Sequence, residues 1–388
     1  MTATAEAART VPMTSGVQKR FERVAVSSVF GDPLDRRTWS AAPYNLSQQL
    51  KALGIAVAGV GTGAMRGEQA LLATHFSLMG YGTPRSREAV LRTLPARRRA
   101  AARLAAAMAS LGIQDALHTG SMDLLPTEAE DGTRHYLYCD HTWSLSLQHR
   151  PDRNRYSARA VEAFELLEHK SLSCAAHIFT FGAYVRDHII DHYGIPAEQV
   201  TAVGSGMGEI EPFNGAKDYS RPHLLFVAKH LFVAKGGELL LAAFRIARKH
   251  RPDLQLTIVG DQRSRPFVPD EPGITFRAHL PWEELQRLYR EASLLVQPML
   301  NDPWGQVYLE ALLSCTPVIG LWRNGLPEIT DNGRYGFLVD EADPQALAAT
   351  ILDAISDPQR LARMGEGGRD HVLQTYSWKT VAQRIAFI

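Results

Sequence analysis

The sequence contains little cysteine and no long hydrophobic segment, and both absences narrow the class of protein. Its three cysteines, Cys139, Cys174 and Cys315, lie far apart and form no Cys-x-x-Cys pair. This spacing excludes a disulfide-stapled fold and a cysteine zinc site. No apolar run reaches the roughly 18 residues that a membrane-spanning helix requires. The first 20 residues lack the apolar core of a signal peptide, so they predict a flexible tail and a cytoplasmic protein.

The chain also lacks an excess of charge of either sign. It has 42 lysines and arginines against 41 aspartates and glutamates, for a formal net charge of +1. Such a balance argues against nucleic acid as a partner. With 388 residues, of which 45% are hydrophobic, the chain is long enough for two to three domains of about 150 residues each.

What the sequence does contain is a repeated alternation of short apolar runs with amphipathic segments. In the C-terminal half the alternation begins with the strand-like HLLFVAK at 223–229 and the helix-like segment 237–250. Continuous apolar strands separated by helices predict a parallel sheet that is covered on both faces. The N-terminal half repeats the pattern less regularly, and a polar, Gly-rich stretch separates the two halves. The predicted organisation is a tail (1–20), an N-terminal domain (21–204), a linker (205–221), a C-terminal domain (222–375) and a last helix (376–388).

Two motifs suggest functions that their surroundings do not support. Residues 59–64 fit G-x-G-x-x-A, but the acidic residue that a dinucleotide site needs about 20 positions later is absent. A flexible loop facing the other domain is the preferred interpretation. His188 and His192 have zinc-ligand spacing on a helix, but the glutamate of a metalloprotease and a third ligand are missing. We therefore predict an exposed helix face and no metal site.

The strongest chemical signal is the segment D-P-W-G-Q-V-Y-L-E, which runs from Asp302 to Glu310 after an apolar strand. A helix that begins at about Gly305 would direct the free amides of Gly305, Gln306 and Val307 toward an anion such as a diphosphate. Glu310 would lie about a turn and a half into this helix, where its carboxylate could bind the two hydroxyls of a ribose. Asp302 would either face the same crevice or only cap the helix.

Two lysines follow another predicted strand. Lys229 and Lys235 are six residues apart, and Lys235 precedes a Gly-Gly pair and a helix. Cations at the carboxyl end of a parallel strand are well placed to neutralise a diphosphate leaving group. Taken alone, such a pair would more often be simply solvated.

Together these motifs resemble those of the retaining glycosyltransferases of GT-B fold, specifically family 4 of the nucleotide-sugar transferases. The family pattern G-R-x-x-x-x-K-G parallels Lys229 and Lys235-Gly236, and its Glu-x7-Glu motif parallels Asp302 to Glu310. The family's G-G-x-P-E-I appears as N-G-L-P-E-I at 324–329. The resemblance is dense over about residues 175–385 and covers the N-terminal half only in outline.

Two residues depart from the family pattern. Lys229 replaces an arginine. The positive charge is kept, but a lysine cannot donate two parallel hydrogen bonds to one phosphate as an arginine can. Asp302 replaces a glutamate, so its carboxylate reaches about one methylene less far. The second departure weakens any prediction of the donor sugar.

The resemblance implies an α/β protein of GT-B fold, with two Rossmann-like doubly wound domains facing a central cleft and the last helix returning to the N-terminal domain. It implies metal-independent transfer of a hexose with retention of the anomeric configuration. The donor would be a nucleoside diphosphate sugar, with UDP or GDP expected, and the acceptor a sugar, a lipid-linked molecule or a small molecule. Lys229 and Lys235 would stabilise the diphosphate, Glu310 would hold the ribose and Asp302 the sugar. Asp140 or His141 would lie beside the anomeric carbon, although strand alternation leaves open which one faces the cleft, and a simply solvated strand end is the alternative.

The alternatives are a degenerate sugar-nucleotide-binding protein, or a hydrolase or epimerase on the same fold. The nucleotide base, the sugar, the acceptor and the oligomeric state are left open by the sequence. An arginine-rich stretch in the N-terminal half predicts either a solvated helix face or peripheral contact with an anionic membrane, and its members are Arg85, Arg87, Arg92, Arg97, Arg98, Arg99 and Arg103.

Overall fold

A computed structural model describes residues 19–83, 87–125, 132–148, 156–229, 231–278, 280–300 and 302–387. Within these ranges the chain forms two six-stranded sheets, and every strand pair in both is parallel. In the described residues an α-helix follows most of the strands, although none lies between β3 and β4, between β6 and β7 or between β8 and β9. This is the arrangement expected for strands whose residues are apolar on both faces.

The first sheet has the strand order β2-β1-β3-β4-β5-β6. Its strands are β1 (Arg23–Ser28), β2 (Ala56–Gly61), β3 (Asp115–Thr119), β4 (Arg134–Cys139), β5 (His177–Thr180) and β6 (Val200–Ala202). The helices that accompany it are α1 (Ala42–Ala52), α2 (Arg66–Leu78), α3 (Arg87–Leu91), α4 (Leu94–Leu111), α5 (Trp143–Gln148), α6 (Ala158–Ser173) and α7 (Ala183–Tyr193).

The second sheet has the strand order β12-β11-β10-β7-β8-β9. Its strands are β7 (His223–Lys229), β8 (Gln255–Gly260), β9 (Ile274–Ala278), β10 (Leu294–Val296), β11 (Val318–Leu321) and β12 (Gly336–Val339). The remaining helices are α8 (Gly237–His250), α9 (Trp282–Glu291), α10 (Gln306–Leu313), α11 (Leu326–Ile329), α12 (Pro344–Ser356), α13 (Pro358–Thr375) and α14 (Trp378–Phe387).

The predicted fold class, two Rossmann-like doubly wound sheets, is confirmed. In each sheet the chain first adds strands on one side of a central strand and then continues on its other side. The central strand is β1 in the first sheet and β7 in the second. Crevices at the carboxyl ends of strands open at such switch points and commonly bind ligands. The topology therefore directs attention to the residues that follow β7 and β10 in one domain and β1 and β3 in the other.

The last helix joins the two halves of the molecule. α14 packs against α1, and the backbone N–H of Arg20 donates to the carbonyl of Ala386 at 2.8 Å. The side chain of Trp378 donates to the carbonyl of Met207 at 2.9 Å. A Cβ on Gly206 would lie 2.2 Å from the Trp378 ring, so only glycine permits this close approach.

The loop that follows β2 is packed inside the first domain. Thr62 is fully buried and donates from its hydroxyl to Asp123 at 2.8 Å. A Cβ on Gly63 would lie 2.2 Å from the carbonyl oxygen of Val29. The prediction of a flexible loop facing the other domain is therefore wrong, because the chain that follows β1 occupies the space beside the G-x-G-x-x-A motif.

The arginine-rich stretch is only partly at the surface. Arg97 is buried and donates to the carbonyl of Ser121 at 3.0 Å and to the hydroxyl of Ser171 at 3.1 Å. Arg92, also buried, pairs with Glu88 at 2.6 Å. Arg87, Arg98 and Arg99 are exposed, Arg103 pairs with Glu68, and Arg85 lies outside the described residues. Arg92 and Arg97 are therefore not part of a basic surface, which corrects the expectation of one continuous basic patch.

Among the helices described here, none combines the length and apolar character needed to cross a bilayer.

The paired histidines of α7 lie on one helix face. His192 is exposed and its Nε2 lies 2.6 Å from a carboxylate oxygen of Glu165, while its ring stacks on that of His188. His188 is only partly exposed, and burial lowers its pKa to about 4. The predicted exposed face therefore describes His192 better than His188.

Candidate active site

A cavity of about 800 Å³ lies between the carboxyl ends of the two sheets. All nine residues singled out from the sequence line it, and they are Asp140, His141, Lys229, Lys235, Asp302, Gly305, Gln306, Val307 and Glu310. Two come from the first domain and seven from the second. The structure therefore brings together in one cleft residues that are up to 170 positions apart in the chain.

The N-terminus of α10 forms part of the cleft wall. Gly305 precedes the helix with a φ of +80°, which is the left-handed region that favours glycine. A Cβ there would also lie 2.6 Å from the Tyr308 ring. The turn places the first backbone amides of α10, at Gln306 and Val307, beside the cavity, where the helix dipole favours an anion.

Asp302 makes two contacts with its two carboxylate oxygens. Oδ1 accepts a hydrogen bond from the backbone N–H of Gly305 at 3.0 Å, and Oδ2 lies 3.7 Å from the Nζ of Lys235. The first contact is that of a cap, while the second holds the charge inside the cleft. The two interpretations of Asp302 that the sequence left open are therefore compatible.

The two lysines differ in their environments. The side chain of Lys235 is 7% exposed, and burial lowers its pKa although the Asp302 carboxylate opposes that effect. Lys229 is exposed at the end of β7 with a φ of +51°, in a conformation that is uncommon for a residue other than glycine. Its carbonyl accepts hydrogen bonds from the backbone N–H of Asp261 at 2.8 Å and from the hydroxyl of Ser264 at 2.9 Å. These bonds hold the strained turn that places Lys229 at the cavity.

The carboxylate of Glu310 is oriented by a tyrosine from another helix. The hydroxyl of Tyr289, on α9, donates to Glu310 Oε2 at 2.7 Å. Tyr289 is fully buried, and burial raises the pKa of its hydroxyl. Sequence reasoning missed Tyr289, because nothing in its own segment indicates which partner it reaches.

Asp140 and His141 both line the cavity. β4 ends at Cys139, so these two residues lie beyond the strand, where alternation of side chains no longer applies. Burial, followed by the nearby charge of Asp302, raises the pKa of Asp140 to about 7. Two carboxylates from opposite domains thus face the same space, and one of them titrates near neutral pH.

We expect Asp140→Asn to stabilise the unliganded protein above pH 7. The pKa of Asp140 is higher in the folded protein than the ordinary value of 3.8, so its ionisation opposes folding as the pH rises. For a chain of this length, each 1 kcal/mol gained would raise Tm by about 1 °C, because the entropy of unfolding grows with the number of residues. Thermal unfolding at several pH values should show a gain that is largest at pH 8 and disappears as the pH falls from 7 to 4. A gain independent of pH would mean that Asp140 is not the titrating group.

The loop after β1 also lines the cleft, as its place at the carboxyl end of a parallel strand predicts. Trp39, Ser40 and Ala41 have φ values of 43°, 53° and 63°, and all three line the cavity. Three consecutive left-handed residues other than glycine are energetically costly, and such strain is concentrated at functional sites. The Trp39 ring packs against Phe181, with the ring centroids 5.5 Å apart.

Comparison with known proteins finds a family model that matches part of the chain. Residues 209–371 match the model of the glycosyl transferases group 1, which amounts to less than half of the chain. A D-inositol 3-phosphate glycosyltransferase of Corynebacterium kroppenstedtii is 30% identical over 228 residues, which cover 52% of this chain and 50% of that protein. A glycogen synthase of Mycobacterium tuberculosis is 28% identical over 235 residues, which cover 58% and 55%. The chain thus spans about half the length of the curated relatives it matches.

Solved structures resemble the chain over nearly its whole length. Sucrose-phosphate synthase from Thermosynechococcus elongatus aligns with a TM-score of 0.72 and 19% identity, covering 94% of this chain and 97% of that one. WaaG, a glycosyltransferase involved in lipopolysaccharide biosynthesis, aligns with a TM-score of 0.66 and 12% identity, covering 93% and 99%. At these identities the likeness shows the fold alone. The chain therefore has the two-domain GT-B fold, and its residues 209–371 match the glycosyl transferases of group 1.

Proposed function

We propose that this protein is a retaining glycosyltransferase that moves a hexose from a nucleoside diphosphate sugar to a hydroxyl of an acceptor. The observation that carries the proposal is the convergence of Lys229, Lys235, the α10 N-terminus and the Tyr289-oriented Glu310 in one cleft. Together these groups offer positive charge for a diphosphate and a carboxylate for a ribose. Two relatives that match slightly more than half of the chain are named D-inositol 3-phosphate glycosyltransferase and glycogen synthase.

The proposed chemistry requires charge stabilisation at the leaving group. The bond between the anomeric carbon and the phosphate oxygen breaks, its electron pair stays on the diphosphate, and Lys229 and Lys235 stabilise the negative charge. The acceptor oxygen forms its bond to the anomeric carbon from the face that the diphosphate leaves, and its proton passes to the departing phosphate oxygen. Because the resemblance implies attack by the acceptor from the face of the leaving group, we assign Asp302 to orienting the donor sugar and not to covalent attack.

The proposal includes the nucleotide of the donor and a contact with an anionic membrane. A mycobacterial relative that is 30% identical over 43% of this chain is named GDP-mannose-dependent, which supports GDP as one candidate beside UDP. The exposed Arg87, Arg98 and Arg99 are the residues of the arginine-rich stretch that could contact an anionic membrane.

A panel of sugar nucleotides tests the proposal. Calorimetry with UDP, GDP and ADP should identify one base that binds, and release of that diphosphate from the matching hexose donors should depend on an added acceptor. Equal release without an acceptor would indicate a hydrolase. Binding of a donor without turnover against any acceptor would indicate a degenerate binding protein.

We expect Glu310→Gln to weaken binding of the free nucleoside diphosphate and of the sugar nucleotide by the same factor. A neutral acceptor forms a hydrogen bond about half as strong as a charged one, so a loss of about 1 kcal/mol, or roughly five-fold in Kd, is expected. Titration calorimetry of both ligands measures the two factors. Glu341→Gln, a change at an exposed residue outside the cleft, is the matched control. If only the sugar nucleotide binds more weakly, Glu310 contacts the hexose and the ribose assignment is wrong.

A further inference from the structure

The side chain of Glu328, in the second domain, contacts the start of α7 in the first domain. It belongs to the N-G-L-P-E-I motif, to which the sequence analysis assigned no role. Its Oε2 accepts a hydrogen bond from the backbone N–H of Ala183 at 2.9 Å, and its Oε1 accepts one from the backbone N–H of Tyr184 at 2.9 Å. The first amides of a helix have no acceptor within the helix. The carboxylate therefore caps α7 from the other domain.

Tyr184 connects the same helix to both walls of the cleft. Its hydroxyl lies 2.6 Å from the carbonyl oxygen of Pro303 and 3.2 Å from that of Asp140, and it can donate its proton to either. Pro303 follows Asp302 directly, and Asp140 precedes His141. A single side chain thus contacts the backbone beside the polar residues on both sides of the cavity.

The packing around this contact leaves no room for a larger residue. A Cβ on Gly182 would lie 2.9 Å from Oε1 of Glu328 and 3.0 Å from the Trp304 ring. Trp304 is buried and packs edge-on against Phe181 of the first domain, with ring centroids 6.0 Å apart. Because the contact is partly buried, its hydrogen bonds are stronger than those of a fully exposed pair.

We propose that Glu328 and Tyr184 are positioning residues that hold the two domains at the separation at which Asp302 faces Asp140 and His141. The consequence for transfer rests on the proposed function, whereas the contact between the domains does not. The lysines, the α10 N-terminus and Glu310 all belong to the second domain. Loss of the contact should therefore leave the affinity for a free nucleoside diphosphate unchanged.

Hydrogen exchange of the full-length protein provides a test that requires no substrate. The amides of Ala183 and Tyr184 are protected by Glu328, since α7 offers them no acceptor of its own. In Glu328→Ala both amides should exchange faster, and small-angle scattering should show a larger radius of gyration. Gly182→Ala should produce the same two changes with the carboxylate intact, because the added methyl group forces Glu328 and Trp304 away.

Asp343→Ala is the matched control. Asp343 Oδ2 accepts a hydrogen bond from the backbone N–H of Ala346 at 2.7 Å, so it caps α12 in the same way but within one domain. Its loss should leave the exchange at 183–184 and the radius of gyration unchanged. Unchanged exchange and radius in Glu328→Ala would overturn the proposal, as would the same changes in Asp343→Ala, which would indicate general loosening.

Kinetics extend the test to the reaction. Once a donor is identified, Tyr184→Phe and Glu328→Gln should lower kcat for transfer by roughly 10- to 100-fold, the scale expected when reacting groups are displaced by about 1 Å. The Kd for UDP or GDP, whichever the wild type binds, should stay the same. A fall in that affinity with unchanged kcat would overturn the positioning role. If the wild-type protein turns over no sugar nucleotide, the proposed function fails, but the exchange experiment still decides whether the contact exists.

Discussion

Lys235→Ala should reduce the rate of transfer by about 10²–10³-fold, the usual cost of removing one preorganised group that stabilises developing charge. Lys235 is almost completely buried at the cleft, so no solvent-exposed side chain can take its place without rearrangement. Its ammonium lies 3.7 Å from the Asp302 carboxylate. In a site of low polarity a charge acts more strongly than it would in water. The effect should therefore exceed that of Lys229→Ala, since Lys229 is exposed.

The measurement is release of the nucleoside diphosphate at saturating donor and acceptor. Lys249→Ala, an exposed lysine at the far end of α8, is the control for loss of one positive charge and should leave the rate unchanged. Lys235→Arg keeps the charge and should recover part of the rate. Activity of Lys235→Ala within a few fold of the wild type would remove Lys235 from the site.

The fold, and the side of the cleft that the second domain forms, could be predicted from the sequence. The residues that indicate them lie close together in the chain. Buried parallel strands are continuous apolar runs, and β7 and α8 begin and end at the residues that the pattern of 223–229 and 237–250 predicts. Asp302, Gly305 and Glu310 belong to one strand–turn–helix unit. Their spacing alone therefore places them on one side of a crevice.

Contacts between distant segments were not predictable. Glu328 and Ala183 are 145 residues apart, and neither segment carries a sign of the other. Arg97 is similar, because its partners Ser121 and Ser171 come from other segments and convert a charged helix residue into a buried one. Such residues satisfy hydrogen-bonding groups whose positions are fixed only by the tertiary fold.

Asp302→Asn should keep the fold and the nucleoside diphosphate site while lowering transfer. Asparagine caps a helix about as well as aspartate, so the hydrogen bond from the Gly305 amide should survive and Tm should change little. The lost charge matters at Oδ2, on the side of Lys235 and the cavity. A charged acceptor that binds a sugar hydroxyl contributes about 1.5–3 kcal/mol, so transfer should fall roughly 10- to 150-fold.

Two further variants separate the two roles of Asp302. Asp302→Ala removes the cap as well and should cost about 1 kcal/mol of unfolding free energy, or about 1 °C in Tm for a chain of this length. Asp302→Glu restores the family residue, and its added methylene should change the preference among donor sugars that share one base. Measuring transfer, diphosphate affinity and Tm for all three variants distinguishes sugar binding from capping. Unchanged transfer in Asp302→Asn would mean that the aspartate only caps α10, and other residues would then have to hold the donor sugar.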